Sequence, residues 1–215
     1  MKSMLVIGAG RFGTYLIKAL AKHDNEIMLV DRDEKAMEDL IDIVSSAKIG
    51  DCTSETVLRS LNVQDFDACF VCISDDFQSS LEITSLLKDL GARYVISKAD
   101  RDIHAKFLLR NGADRVVYPD RDIAEKVAVA YSSDQVFDYI DLADGYSIYE
   151  ISPEPKWIGR TVGEVNVRKK YRFNIIAVKN EAGLSMNIGP NYTFRADEHL
   201  LVIGQDDDIA SLVGE

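Results

Sequence analysis

The sequence has few cysteines and no long apolar run, and each shortage excludes a class of protein. Three cysteines among 215 residues are too few, and an odd number, for a disulfide framework, which favours a reducing compartment. No apolar run approaches the roughly 20 residues that a membrane-spanning helix needs. The first one, Met4–Ile7, is too short for the core of a signal peptide. We therefore expect a soluble, cytoplasmic protein.

Positive charge is also scarce. The chain has 25 Lys and Arg against 36 Asp and Glu, a formal net charge of -11. Nucleic-acid backbones and anionic lipid headgroups need Lys and Arg to neutralise them, so most of this surface repels both. The sequence therefore argues against a nucleic-acid partner. With 47% hydrophobic and 28% charged residues, the composition is that of a globular protein, so disordered and collagen-like classes are excluded.

Up to about Asp134, short apolar runs alternate with amphipathic stretches of about 10 to 15 residues, which indicates consecutive βαβ units. The sequence predicts the α/β class, with a Rossmann-like doubly wound parallel sheet over residues 1–134. The six candidate strands are Met4–Gly8, Glu26–Asp31, Ala47–Gly50, Ala68–Ser74, Tyr94–Lys98 and Arg115–Tyr118.

The pattern changes after Tyr131. Ser132–Gln135 indicates a break and Val136–Leu142 a connector, so residues 135–142 are predicted to be a linker. Residues 143–215 are predicted to form a small α+β domain. Its candidate strands are Ser147–Ile151, Ile175–Lys179 and His199–Ile203, and its candidate helices are Thr161–Val165 and Asp207–Val213.

The strongest local motif is a glycine-rich turn between the first strand and the first helix. Gly8 permits a tight turn, Gly10 lets the backbone approach a pyrophosphate, and Gly13 lets the helix pack closely on the strand. Asp31 ends the second strand, where a carboxylate can accept hydrogen bonds from both ribose hydroxyls. The competing interpretation of Asp31 is a cap for a helix that begins near Asp33.

Two cations near this turn point to phosphate. Arg11 adds a charge where backbone amides usually suffice, which suggests more phosphate charge than a dinucleotide carries, or a phosphate presented by a neighbouring subunit. Lys98 ends the fifth strand and is a second candidate phosphate contact, unless it is a solvated strand end. Asp31 argues against NADP because it would repel a 2′-phosphate, although Arg32 beside it leaves that question open.

Other strand ends face the same crevice. Gly50–Thr53 follows the third strand, where an adenine ring would rest, but a helix-capping turn explains it equally well. Ser74, Asp75 and Asp76 follow the fourth strand and could line the ribose or phosphates. The competing interpretation of Asp76 is a plain helix cap.

Residues for catalysis or for a metal centre are sparse. The three histidines, His23, His104 and His199, are isolated from carboxylate or lysine partners at any recognisable spacing, so we expect no enzyme activity. Cys69 and Cys72 spell Cys-x-x-Cys within a strand. Residues three apart in a strand point to opposite faces, so we interpret both as core residues rather than zinc ligands.

A basic cluster stands out in the second domain. Arg168, Lys169, Lys170 and Arg172 are joined by Tyr171 and followed by Phe173. This composition suits a small anionic ligand with a base that stacks. A solvated edge that balances local charge is the alternative.

Together these motifs resemble the KtrA/TrkA-type RCK (KTN) proteins, the regulatory subunits of bacterial Ktr and Trk potassium uptake systems. The resemblance covers nearly the whole chain, both domains in order. It is carried by Gly8–Gly13, Gly50–Thr53, Asn111–Val116, Tyr118–Pro119 and the small terminal domain.

The resemblance implies an octameric ring that binds ATP or ADP, or NAD and NADH in some relatives, and docks on a membrane potassium-translocating subunit of the KtrB or TrkH kind. The protein would then associate peripherally with the inner face of the cell membrane, and nucleotide exchange would gate ion flow. Trk-type subunits often carry two tandem copies of this unit, whereas this chain carries one. An NAD(H)-binding Trk-type subunit and an NAD-dependent redox enzyme are the alternative functions.

The resemblance also implies residue roles. Arg11 would reach the terminal phosphate of a nucleotide in the adjacent subunit, and Asp120 would help to hold a divalent or monovalent cation, although a Glu is usual at this position. Arg168 and Asn174 would bind cyclic di-AMP. The predicted cofactor-binding residues are Gly8, Gly10, Arg11, Phe12, Gly13, Asp31, Arg32, Asp51, Cys52, Ile73, Ser74 and Lys98.

Overall fold

The computed structural model of the protein describes residues 1–73 and 75–214. The chain divides into two compact units, Met1–Arg121 and the part from Asp122 onward. Each unit has its own sheet and its own hydrophobic core.

The first unit is built on a parallel sheet whose strand order is β3-β2-β1-β4-β5-β6. This is the order of the doubly wound dinucleotide-binding fold, so the predicted fold class is confirmed. The strands are β1 (Lys2–Ile7), β2 (Asn25–Asp31), β3 (Ser46–Ile49), β4 (Ala68–Val71), β5 (Val95–Lys98) and β6 (Arg115–Val117).

Helices cover both faces of this sheet because its strands carry apolar side chains on both sides. On one face, Val6 and Leu29 pack with Ile17 of α1 and Met37 of α2. On the other face, Leu5 and Val30 belong to the cluster that includes Leu58 of α3 and Leu87 of α4. The helices are α1 (Arg11–Leu20), α2 (Glu34–Met37), α3 (Glu55–Ser60), α4 (Phe77–Asp89), α5 (Asp102–Arg110) and α6 (Pro119–Tyr131), which runs into the second unit.

The second unit is an antiparallel sheet of strand order β10-β9-β11-β8-β7. Its core lies on one face, where side chains of the central strands pack with α9 and with a group of aromatic rings. Its strands are β7 (Val136–Ala143), β8 (Tyr146–Ile151), β9 (Asn174–Asn180), β10 (Gly183–Ser185) and β11 (His199–Gln205), and its helices are α7 (Val162–Val165), α8 (Val167–Lys170) and α9 (Asp206–Val213).

One segment differs from its prediction. Val136–Leu142, expected as a connector, lies in β7 and pairs along its length with β8. The register shifts twice in this pairing, at Phe137 and at Leu142. Each bulge breaks the period-two alternation that identifies a strand in a sequence.

The two cysteines of the Cys-x-x-Cys motif lie on opposite sides of the sheet, as predicted. Cys69 packs in the cluster with Leu5, and Cys72 packs in the cluster with Val6. Burial raises the pKa of both thiols to about 12. Both side chains are therefore protonated core residues.

No helix in the described residues is long and apolar enough to cross a membrane.

Candidate functional site

A cleft of about 610 Å³ opens at the carboxyl ends of the strands of the first sheet. It lies where the strand order reverses, between β1 and β4, which is the usual ligand position in open α/β sheets. Most of the predicted cofactor residues line it. They are Gly8, Gly10, Arg11, Phe12, Asp31, Arg32, Asp51, Cys52, Ile73 and Lys98.

The glycine turn has the geometry that a close approach of phosphate requires. Gly8 has a φ of +103°, in the region that favours glycine. A Cβ at Gly13 would lie 2.0 Å from the carbonyl oxygen of Gly8, so only glycine fits where α1 meets the turn. A Cβ at Gly10 would meet no atom within 4 Å, because its backbone faces open space. Gly13 therefore packs against the turn at Gly8 and does not itself line the cleft.

The start of α1 is a site for negative charge. Gly10 is its N-cap, no side chain caps it, and its first turn has no acidic residue. The amides at the start of a helix lack intrahelical partners and attract anions. Arg11 is the first residue of this helix, is exposed, and forms no ion pair with any residue that the structure describes. Amides and guanidinium together favour a phosphate at this place.

Asp31 connects the second strand to the glycine turn. Its Oδ2 accepts a hydrogen bond from the Ala9 amide at 2.6 Å, and its Oδ1 accepts one from the Asp33 amide at 2.9 Å. A carboxylate has about four lone-pair positions, so two remain for ribose hydroxyls. The cap of α2 is Asp33, whose side chain accepts from the Lys35 amide at 3.0 Å. The capping role considered for Asp31 thus belongs to Asp33.

Asp51 and Cys52 form the wall that follows β3. Asp51 accepts hydrogen bonds from the amide and the hydroxyl of Thr53, at 3.0 and 2.8 Å, and these bonds lower the pKa of Asp51. Cys52 lines the cleft but is 3% exposed, and burial raises the pKa of its thiol to about 12. This wall offers a fixed carboxylate and an uncharged surface.

The opposite wall follows β4. Ser74, which we predicted as a site residue, lies outside the described residues. Asp76 caps α4 by accepting from the Ser79 amide at 3.1 Å and from its hydroxyl at 2.6 Å, and these bonds lower the pKa of Asp76. The capping interpretation of Asp76 is therefore correct, and Asp76 also lines the cleft.

Lys98 and Asp120 also line the cleft. The Lys98 ammonium lies 2.9 Å from Oδ1 of Asp100, and the Lys98 side chain is 11% exposed. Asp120 lies in the first turn of α6 and is exposed. In the part of the chain that the structure describes, no group of three or more His, Cys, Asp or Glu side chains is arranged to hold a metal ion. Asp120 alone is therefore an incomplete cation site within this chain.

Sequence reasoning missed several residues of the cleft. Asp33, Ala36, Ser79, Ile83 and Asp100 line it but were not among the predicted residues. Asp33 and Asp100 each follow the last residue of a strand by two positions, so the ends of β2 and β5 carried a usable signal. The other three lie on helices, and the sequence alone does not show which helix faces turn toward the cleft.

In the second unit the basic cluster forms α8 and the turn after it. Arg168, on α8, and Asn174, the first residue of β9, are both exposed. The stacking role considered for Phe173 is wrong, because this ring is fully buried in the core. Tyr171 packs edge-on against Trp157 with ring centroids 5.1 Å apart, so its ring also belongs to the packing of the unit.

Fold and cleft define a class: a nucleotide-binding α/β domain followed by a small antiparallel module. The TrkA-N domain family matches residues 4–119, and the TrkA-C domain family matches residues 146–213. The chain belongs to the TrkA-N family, which confirms the resemblance seen in its motifs.

Two relatives from Bacillus subtilis (strain 168) match over almost their whole length. Ktr system potassium uptake protein C is 37% identical, over 97% of this chain and 95% of its own length. Ktr system potassium uptake protein A is 33% identical, over 100% of this chain and 96% of its own length.

Solved structures of GsuK share the fold at low sequence identity. The GsuK channel bound to NAD matches with a TM-score of 0.71 at 18% identity, over 98% of this chain and 38% of that chain. GsuK bound to ADP matches with a TM-score of 0.54 at 18% identity, over 62% of this chain and 36% of that chain. This chain thus spans well under half the length of GsuK, and the likeness shows the fold.

Proposed function

We propose that the protein is the nucleotide-binding regulatory subunit of a Ktr-type potassium uptake system and controls K⁺ flux through ATP or ADP in its cleft. The full-length similarity to two Ktr uptake proteins supports the potassium role. The observation that carries the nucleotide role is the open glycine turn with Arg11 at the uncapped start of α1.

The cleft supports an adenine nucleotide with a charged phosphate chain. Asp31 binds the ribose hydroxyls, Asp51 and Cys52 border the base, and Arg11 binds phosphate, either in its own cleft or in that of a neighbouring copy. A ligand shifts a conformational equilibrium only through its different affinity for the two states. ATP and ADP differ by one phosphate, so a contact to that phosphate is what distinguishes them.

The charges of the cleft favour a cation beside the nucleotide. Its lining has seven carboxylates against three cations, Arg11, Arg32 and Lys98. A triphosphate added to this surplus of negative charge is repelled unless a positive ion accompanies it. Asp120, which lines the cleft, would contribute one oxygen to that ion, and a second copy of the chain would contribute others. The lining carboxylates are Asp31, Asp33, Asp51, Asp75, Asp76, Asp100 and Asp120.

The positions of the histidines support a function in binding rather than in catalysis. None of them lines the cleft in the described residues. His104 is buried and stacks on Phe77 with ring centroids 3.8 Å apart, and burial lowers its pKa, with a further contribution from Arg101. A neutral, packed imidazole is a poor general acid at neutral pH.

Exposed apolar helix faces support assembly into a ring. Ile123, Val127 and Tyr131 recur every fourth residue on α6, are 61, 50 and 89% exposed, and so form one stripe. Ile103 and Phe107 form a shorter stripe on α5. Such stripes mark contacts between proteins. We expect copies of the chain to meet through them in an octameric ring, which binds a membrane potassium-translocating subunit at the cytoplasmic face.

Cyclic di-AMP is the proposed second ligand. Arg168 and Asn174 are exposed on the basic segment of the second unit, where a phosphate would meet four positive side chains within five residues. Because the aromatic rings nearby are packed, recognition would rest on charge and on the Asn174 amide rather than on stacking.

A thermal-unfolding panel tests the nucleotide assignment. Purified protein is heated with ATP, ADP, NAD, NADH or cyclic di-AMP, each with and without Mg²⁺. A ligand at about 100 times its Kd stabilises by about 2.7 kcal/mol, and we expect this from ATP with Mg²⁺ and from ADP. The potassium role is tested by K⁺ uptake in cells that hold the membrane subunit with and without this protein. Uptake that is unchanged by the protein contradicts it.

An NAD(H)-binding Trk-type subunit is the second candidate, because the cleft lies where dinucleotides bind in doubly wound sheets. Asp31 serves the ribose of a dinucleotide equally well. A dominant stabilisation by NADH would select this candidate. Reduction of a carbonyl substrate by NADH would instead establish a redox enzyme.

A further inference from the structure

The outer edge of the first sheet is an exposed apolar surface that the proposed function does not use. Strand β3 is the edge strand, so one row of its backbone groups has no neighbouring strand in the described residues. Three isoleucines lie on or just before it. Ile41, Ile43 and Ile49 are 50, 37 and 53% exposed. Exposed edge strands with apolar side chains are rare in proteins that have no partner for them.

These isoleucines belong to one flank of the sheet. Ile49 pairs with Asp31 and Ala47 with Leu29, and paired residues of parallel strands point to the same face. Leu29 packs with Met37 and Leu40, so Ile49 shares the face that carries α2 and the turn after it. Ile41 and Ile43 directly follow that turn. We call this surface the β3 edge.

The same surface carries uncompensated negative charge. Residues 33–47 contain five carboxylates and one cation, Lys35. Glu38, Asp39 and Asp42 are exposed and form no ion pair with any residue the structure describes. They surround the exposed isoleucines in the sequence.

We propose that the β3 edge is the surface that binds the membrane subunit, through a Lys- and Arg-rich, apolar segment on its cytoplasmic side. This proposal rests on the proposed function. A second copy that docked through its own β3 edge would bring like charges together, and nucleic acids and anionic lipids are repelled for the same reason. Cytoplasmic loops of membrane proteins carry an excess of Lys and Arg, which complements this surface.

The position of the edge connects it to the cleft. Asp31, the proposed ribose ligand, pairs with Ile49 and accepts a hydrogen bond from the amide of Asp33, the cap of α2. The nucleotide would therefore contact β3 and α2 from the cleft, and the docked segment would contact the same two elements from the outer edge of the sheet. A structural change around Asp31 would reach the membrane subunit through β3 and α2 alone.

The test reverses the charge of the surface without touching the cleft. The variant carries Glu38→Lys, Asp39→Lys and Asp42→Lys, and the matched control carries Asp89→Lys, Glu181→Lys and Asp197→Lys. All six residues are exposed, and both variants change the net charge equally. Binding to the detergent-solubilised membrane subunit from the same source is measured at low and high salt, with thermal stabilisation by ATP as the check that the cleft is intact.

We expect the β3-edge variant to lose at least about tenfold in affinity at low salt, and the control to stay within about threefold. Equal affinity of wild type and β3-edge variant overturns the docking surface and leaves the proposed function standing. Equal losses in both variants also overturn it, because they show attraction by net charge alone. Absence of binding by the wild type overturns the proposed function together with the docking surface.

Discussion

Both units of this chain combine a sheet with helices, but the two sheets differ in how they bring functional side chains together. In the first unit all strands are parallel, so their carboxyl ends meet at one edge and the topology itself places the glycine turn, Asp31 and Lys98 in one cleft. In the second unit the strands are antiparallel and their ends alternate. No single edge collects side chains there, and a binding surface has to be built from local segments such as the basic α8.

The cores differ as well. The first unit is packed with aliphatic side chains on both faces of its sheet. The second packs one face, around the chain's only tryptophan. Trp157 is 1% exposed and contacts the rings of Tyr171 and Phe194 at centroid distances of 5.1 and 5.5 Å. A small unit gains much of its buried area from few large rings, so its stability depends on single residues.

The largest expected effect is therefore in the second unit. Trp157→Ala removes the central ring, and we expect a loss of about 3–5 kcal/mol in the free energy of unfolding of that unit. Urea unfolding followed by far-UV circular dichroism measures it, while nucleotide affinity reports on the first unit. Trp157→Phe, which keeps a ring, should lose less. Nucleotide affinity that is lost together with the fold of the second unit would show that the first unit depends on Trp157 as well.

In the first unit the most sensitive position is a glycine. Gly13→Ala places a Cβ against the carbonyl of Gly8, and we expect about 1–3 kcal/mol of destabilisation together with loss of nucleotide binding. The matched control is Gly10→Ala, whose Cβ meets open space in the structure. It should fold as stably as wild type and still bind phosphate more weakly, because the Cβ lies where the ligand approaches. Equal stability of both variants would show that the turn is not tightly packed.

A smaller effect is expected from an ionic cluster of the second unit. Glu150 is 9% exposed and accepts hydrogen bonds from Lys179 at 2.9 Å and from His199 Nδ1 at 2.7 Å. Burial raises the pKa of Glu150, but these bonds outweigh it and hold the pKa below its usual value. A depressed carboxyl pKa stabilises the folded state above the unfolded-state pKa, near 4.3, and this contribution disappears as the pH falls through the folded-state pKa.

Glu150→Gln should therefore destabilise the second unit at pH 7 by about 1–2 kcal/mol. The difference from wild type should shrink as the pH falls below the unfolded-state pKa toward the lowered folded-state pKa of Glu150, because the stabilisation by the charged carboxylate is lost over that range. Urea unfolding at pH 7 and at pH 3.5 measures this, with exposed Glu181→Gln as the control. A difference that is independent of pH would show that shape rather than charge matters at this position.

The difference between the two units also explains which of their helices and strands could be predicted from the sequence. The strands of the first unit were found within a few residues, since buried parallel strands appear as continuous apolar runs between helices. β7 was missed because bulges at Phe137 and Leu142 interrupt its alternation. The short strand β10 and the single-turn helix α8 are too brief to carry a periodic signal.

The candidate site residues also divide into those that the sequence predicted and those that it did not. Asp51 and Cys52 were predicted from the rule that ligands bind at the carboxyl ends of strands. Ser79 was not predicted, because its place in the cleft depends on how α4 is rotated against the sheet. In the second unit Phe173 follows the basic residues in the sequence, but it lies just before β9 and its side chain is fully buried in the core.

We propose that Arg11 binds the phosphate by which ATP differs from ADP, and calorimetric titration of wild type and Arg11→Ala tests this role. Lys18→Ala, at an exposed cation of the same helix, is the control. A lost charge-assisted hydrogen bond is worth about 1.5–3 kcal/mol, so ATP should bind Arg11→Ala about 10- to 100-fold more weakly, and ADP should lose less. Unchanged ATP affinity in Arg11→Ala, with NADH the tightest ligand of both proteins, would contradict the account.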